Sequence, residues 1–179
     1  LQLNSTGSTL LYSSFFGGAA GSQIHDLKID VTGRVYLCGS STGSLATQNA
    51  YQGTFQGGTS DGFFSVLDTT QIGPAQLIYS TYVGGATLDE FYGLAVDSSG
   101  KAILAGKSDS AGFPTLNAYQ GTYGGGEDAV IVRIDDLMVV VIFITWLARA
   151  AVRKEIGFLR TTPLQIPLYA YIFTFLLSA

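Results

Sequence analysis

The chain has 179 residues, enough for one domain with a real core or a domain plus a short appendage, and two domains is the upper limit. Only 12% of the residues are charged, while 23 are Gly and 21 are Phe or Tyr, a balance that fits a turn-rich β protein and excludes a disordered or coiled-coil chain. The formal charge of −4 divides into −7 over residues 1–136 and +3 over residues 137–179, and an acidic body with scattered Lys and Arg lacks the counterion-release drive toward nucleic acid.

The chain opens at Leu1 without a charged and apolar leader, which leaves two readings, a removed leader or a piece of something longer. The single cysteine, Cys38, makes no internal disulfide, so cysteine usage is silent about the redox compartment.

In chain order the first signal is "LLYSSFFGG" from Leu10, which returns 67 residues later as "LIYSTYVGG" from Leu77. Tyr12 corresponds to Tyr79, Gly17 and Gly18 to Gly84 and Gly85, Asp30 to Asp97, Gly33 to Gly100, Gly39 to Gly106, and Asp61 to Asp128. "NAYQGT" recurs at an offset of 68, from Asn49 to Asn117, and the spacing recovers before Asp128. A long internal period is the mark of a repeat architecture.

Each unit predicts four strands. The first is the aromatic and branched run, ended by Gly-Gly, a pair able to take the positive φ of a tight turn. "HDLKIDVTGRVYLCG" and "YGLAVDSSGKAILAG" each predict two strands joined at Asp-x-x-Gly, where Asp caps its own turn and Gly supplies the left-handed residue. "DGFFSVLD" and "DAVIVRID" supply the fourth. Four antiparallel strands per unit match a β-propeller blade, with a solenoid as the competing reading. The period exceeds the roughly 40–50 residues of WD40 and kelch blades, and the surplus lies in "GSSTGSLATQNAYQGTFQGGTS", expected to be the variable surface.

The stretches "YSTYVGG", "GLAVDSSGKAILAG" and "FPTLNAYQGTYGGGEDAVIVRID" resemble the bacterial SBBP repeat, named for a seven-bladed β-propeller, over residues 10–136. The resemblance implies blades of secreted or cell-surface proteins, in long arrays, without shared catalytic residues. The first unit departs from the pattern at "SLATQNAYQ", which lacks the Phe-Pro of "FPTLNAYQ".

Two blades do not close a ring, so residues 1–136 are expected to need further blades, from a longer parent protein, by self-association, or by cover from the tail. Residues 137–179 form a hydrophobic, basic tail. Its first uncharged run, Leu137 to Ala148, has 12 residues and is short for a membrane-spanning helix; the second carries Pro163 and Pro167. Three readings stand: a membrane-associated segment, a strand and cover for an exposed blade face, or the product of a reading-frame change.

The candidate chemistry is sparse. His25 is the only histidine and exchanges with Tyr92 across the repeat, and Cys38 exchanges with Ala105, so both read as strand side chains with no general base beside the thiol. Asp30, Asp97, Asp61, Asp128, Asp89 and Glu90 raise the question of Ca²⁺, but their spacing fits no EF-hand, and turn formation accounts for Asp-x-x-Gly. "YGGGED" and "FQGGTSDG" lack the Gly-Lys-Ser/Thr ending of a phosphate loop and read as strand connections. No catalytic, cofactor or metal residues are assigned.

The expected function is therefore a non-enzymatic extracytoplasmic β-propeller scaffold that binds protein or glycan. Tyr51, Tyr119, Phe55 and Tyr123 are placed either at the binding surface or as anchors of their own loops. The alternatives are an accessory subunit of a membrane complex with the blades as an extramembrane cap, and a fragment or frameshifted piece of a longer surface propeller.

Overall fold

The computed structural model describes residues 2–135, so the readings attached to the hydrophobic tail lie outside the described residues. Among those described, the chain is all-β apart from one 3₁₀ turn, and no helix is long and apolar enough to cross a membrane. The strands are β1 (Gln2–Leu3), β2 (Leu10–Tyr12), β3 (Ser22–Ile29), β4 (Arg34–Ser41), β5 (Asp61–Asp68), β6 (Leu77–Val83), β7 (Asp89–Val96), β8 (Ala102–Ser108) and β9 (Asp128–Ile134). They form three antiparallel sheets, β1-β2, β3-β4-β5-β6 and β7-β8-β9, none closed into a barrel.

The two larger sheets are propeller-like blades, and each sequence unit supplies the four strands expected, β2 to β5 and β6 to β9, but the sheet boundaries fall elsewhere. Sequence unit and sheet are out of phase by one strand: β6 opens the second sequence unit, yet it is the fourth strand of the first sheet. Packing decides this. Tyr82 stands opposite Phe63 in the β5–β6 register, and the buried hydroxyls of Ser65 and Ser80 lie 2.8 Å apart. Tyr79 sits against Phe64 with ring centroids 6.0 Å apart. The equivalent run in the first unit is only the three-residue β2, paired with β1.

The expected Asp-x-x-Gly turns are present. Asp30 Oδ1 accepts from the backbone N–H of Thr32 and of Arg34, and Gly33 takes a φ of 86°; Asp97 does the same for Ser99 and Lys101, with Gly100 also at 86°. The Gly-Gly reading holds only in the first unit, where Gly17 has a φ of 140°. At Gly84 and Gly85 the constraint is room instead, since a Cβ there would meet the carboxylates of Asp61 and Asp89, or Ser110.

The two blades stack head to tail. In the first sheet Leu37, Phe63 and Tyr82 share one face, where Leu45, Phe16 and Phe55 cover them. Tyr36, Cys38, Phe64 and Val66 share the other. That second face meets the second blade: a Cβ on Gly62 would strike the Phe91 ring, and Gly100 lies beneath the Tyr36 hydroxyl. Phe91, Leu94, Ala102 and Leu104 line the receiving face and are buried. Ala102 and Leu104 are the repeat equivalents of Val35 and Leu37, so unlike faces meet. Burying a side chain the size of Leu or Phe stabilises by about 1.5–3 kcal/mol, which makes this seam a principal source of stability.

Candidate functional site

Each sequence candidate has a definite place. His25 lies on β3 at the seam, its ring stacked on Tyr92 with centroids 4.8 Å apart and its Nδ1 2.8 Å from the Phe91 carbonyl oxygen. Both features tie it to β7. Cys38 is fully buried on β4, and burial, with the charge of Asp26, pushes its thiol up to about 11. A thiol in that state is a poor nucleophile.

Sequence reasoning passed over Asp26. Its Oδ2 accepts from Leu94 N–H at 2.9 Å, across the seam, while Lys28 holds the same carboxylate at 2.8 Å. Because β7 is an edge strand of its own sheet, its free backbone groups need partners, and Asp26 serves the Leu94 N–H while His25 serves the Phe91 carbonyl. The signal was available: the second unit has Tyr92 and Gly93 at these positions, so the pair breaks the repeat.

The acidic candidates divide by surroundings. Asp30 and Asp97 each spend Oδ1 on the turn, as expected, and Asp30 Oδ2 accepts from the Tyr36 hydroxyl. Glu90 turns toward Lys107, 3.7 Å away. Its neighbour Asp89 turns inward instead. Asp61, at the start of β5, and Asp89, at the start of β7, are both 0% exposed. Gln56 N–H donates to Asp61 Oδ2 at 2.6 Å; Gly85 N–H and the Ser110 hydroxyl donate to Asp89 Oδ2 at 2.7 and 2.8 Å. Asp61 Oδ1 and Asp89 Oδ1 have no hydrogen-bond partner. Burial pushes the Asp61 carboxyl up to about 6 against the pull of the Gln56 N–H, and the charge of Asp89 pushes it the same way. Asp128, the repeat equivalent of Asp61, likewise accepts from a loop amide, Gly124 N–H, at 2.6 Å.

No group of three or more His, Cys, Asp or Glu side chains gathers at one point among the described residues.

The long β4–β5 connection is more than a variable surface. Gln48 exchanges backbone hydrogen bonds with Ser80 at 3.0 and 2.9 Å, and Gln52 O accepts from Tyr82 N–H at 3.1 Å, so the loop seals the outer edge of β6. The recurring Asn-Ala-Tyr-Gln supplies the hooks. Asn49, at a φ of 51°, donates to the Ile78 carbonyl, and the Gln52 amide clamps both backbone groups of Gly84 at 2.9 and 3.0 Å. Between the hooks Tyr51 points outward, 70% exposed, and its repeat equivalent Tyr119 is fully exposed. Phe55 instead packs on Tyr82 with centroids 6.2 Å apart, and the Tyr123 hydroxyl bonds its own loop at Gly126 O. Of the four aromatics, two anchor and two project.

No protein-family model matches the chain, and no curated protein matches it.

Proposed function

We propose that this chain is part of a non-enzymatic, extracytoplasmic β-propeller scaffold of the SBBP-repeat kind, which binds a protein or glycan through the edge carrying Tyr51 and Tyr119. The observation that carries the reading is the paired presentation of these tyrosines. The first unit spends Asn49 and Gln52 on loop placement and leaves Tyr51 between them in solvent, and Tyr119 at the equivalent place of the second unit is exposed as well. Exposed tyrosine combines apolar area with a hydroxyl at low entropic cost, the character of contact residues in binding surfaces.

A scaffold role is further supported by what the polar candidates do. His25 and Asp26 are engaged at the seam, and Cys38 is buried with a raised pKa. The head-to-tail stacking of unlike faces supports further blades, because such an interface continues until a ring closes.

The test is binding of the full chain to a glycan array and to immobilised surface proteins from its source. The double variant Tyr51→Ala, Tyr119→Ala should lose at least about tenfold in affinity, or about 1.4 kcal/mol, with an unchanged melting temperature. Equal binding by the variant, or no binding by the parent, overturns the reading.

A further inference from the structure

The buried carboxylates at the blade seam pose a problem that neither turn formation nor sheet packing explains. Asp61 and Asp89 come from different sheets, both are fully buried, and each keeps one oxygen without a partner. The donors they do have are two backbone amides and one hydroxyl, all neutral. The salt bridges among the described residues involve neither of them. A buried carboxylate pair without a counter-charge is strongly unfavourable, and buried charges are paired or coordinate metals.

The two groups also point at one place. Asp61 Oδ1, which has no partner, and Asp89 Oδ2, which already accepts from Gly85 and Ser110, lie 2.8 and 2.9 Å from the point where a Cβ on Gly84 would stand. Their separation is therefore below about 6 Å, comparable with the roughly 5 Å that one cation ligated at about 2.3–2.6 Å spans from both sides. Gly84 is held by the Gln52 clamp, so the backbone between the carboxylates is positioned from a third segment.

The fold itself does not demand acid at this point. The repeat equivalent of Asp89 is Ser22, which bonds the Ser41 hydroxyl at 3.0 Å on an intact strand of the same kind. Something other than the sheet needs the second carboxylate.

We propose that Asp61 and Asp89 hold a hard divalent cation, Ca²⁺ by preference, across the seam between the two blades. Two carboxylates offer up to four oxygens, and the hydroxyls of Ser110 and Thr87, 2.7 Å from one another beside Asp89, are further oxygen donors. An all-oxygen donor set excludes metals that favour nitrogen or sulfur. Mg²⁺ prefers to retain several waters, which suits a closed site poorly. The cation would staple β5 of one blade to β7 of the next, and Asp128 carries the first half of the same arrangement onward at the start of β9.

The test uses the full chain, stripped with a chelator and titrated with Ca²⁺ and separately with Mg²⁺, by calorimetry and thermal melting. One Ca²⁺ should bind at the seam, and the melting temperature should rise by at least about 5 °C at a hundredfold excess over Kd. Asp61→Asn and Asp89→Asn should each abolish the response, and both should melt above the stripped parent because one buried charge is gone. Asp97→Asn, at a satisfied exposed turn, should keep it. A folded parent that shows neither heat nor a melting shift with Ca²⁺ overturns the proposal, as does a response that survives both seam variants. Because the readout is metal binding and melting, its failure is separate from failure of tyrosine-mediated recognition.

Discussion

Gly39 and Gly106 show how closely single residues are specified here. Each faces a bulge in the neighbouring strand, where the register slips between Ile24 and Asp26 or between Phe91 and Gly93. The bulge drives a carbonyl, Gln23 O or Glu90 O, into the space a Cβ would need. The repeat of the two glycines was plain in the sequence, but its cause is a contact between strands. Asp26 shows the converse, a residue without a repeat partner that matters because of where β7 ends up. The ion pair with Lys28 holds its carboxyl below the usual carboxylate range, helped by the Leu94 and Leu27 N–H groups and opposed by burial. A lowered folded-state value means that the folded chain binds fewer protons, so the contribution is present above about pH 4 and lost as the pH falls through the folded value. Asp26→Asn should therefore reduce the stability of the chain at pH 7 by about 1–3 kcal/mol and flatten its acid limb below about pH 4, as measured by urea unfolding across that range.

At the scale of elements, the decisive piece is the loop that closes β6. A strand at the edge of a sheet exposes N–H and C=O groups that invite unwanted pairing, and here Gln48 and Gln52 occupy them. Composition alone made this stretch look like free surface, since Gly, Ser and Thr dominate it. Its hidden structural content lies in Leu45, buried with its N–H bonded to the Tyr82 hydroxyl at 2.7 Å, and in the Gln52 clamp on Gly84. Gln52→Ala should cost about 1–2 kcal/mol and release the outer edge of β6, so that the Ser80 and Tyr82 amides exchange at least tenfold faster while the Leu37 amide is unchanged. Hydrogen exchange read amide by amide checks this.

For the molecule as a whole, the unlike faces set the behaviour. The second blade leaves Ile103 and Ile131 exposed, the latter at 79%, and the first leaves Ile24, Leu27 and Ile29 exposed on the face equivalent to the one that the second blade buries. These two surfaces are complementary by the rule that already joins the blades. The chain should accordingly associate head to tail as concentration rises, and Ile131→Lys should shift it toward the monomer by at least about tenfold in dissociation constant, as read by sedimentation.

The repeat, the strands, the Asp-x-x-Gly turns and the all-β class were determined by the sequence by itself, because alternation, turn chemistry and periodicity are local properties that recur every 67 residues. Which strand closes which sheet was not legible, since "LIYSTYV" is as good a first strand as a fourth, and only the Tyr82–Phe63 and Ser80–Ser65 pairings decide it. Nor was the approach of Asp61 to Asp89, 28 positions apart and on different blades, because the seam that brings them together exists only once two sheets have packed.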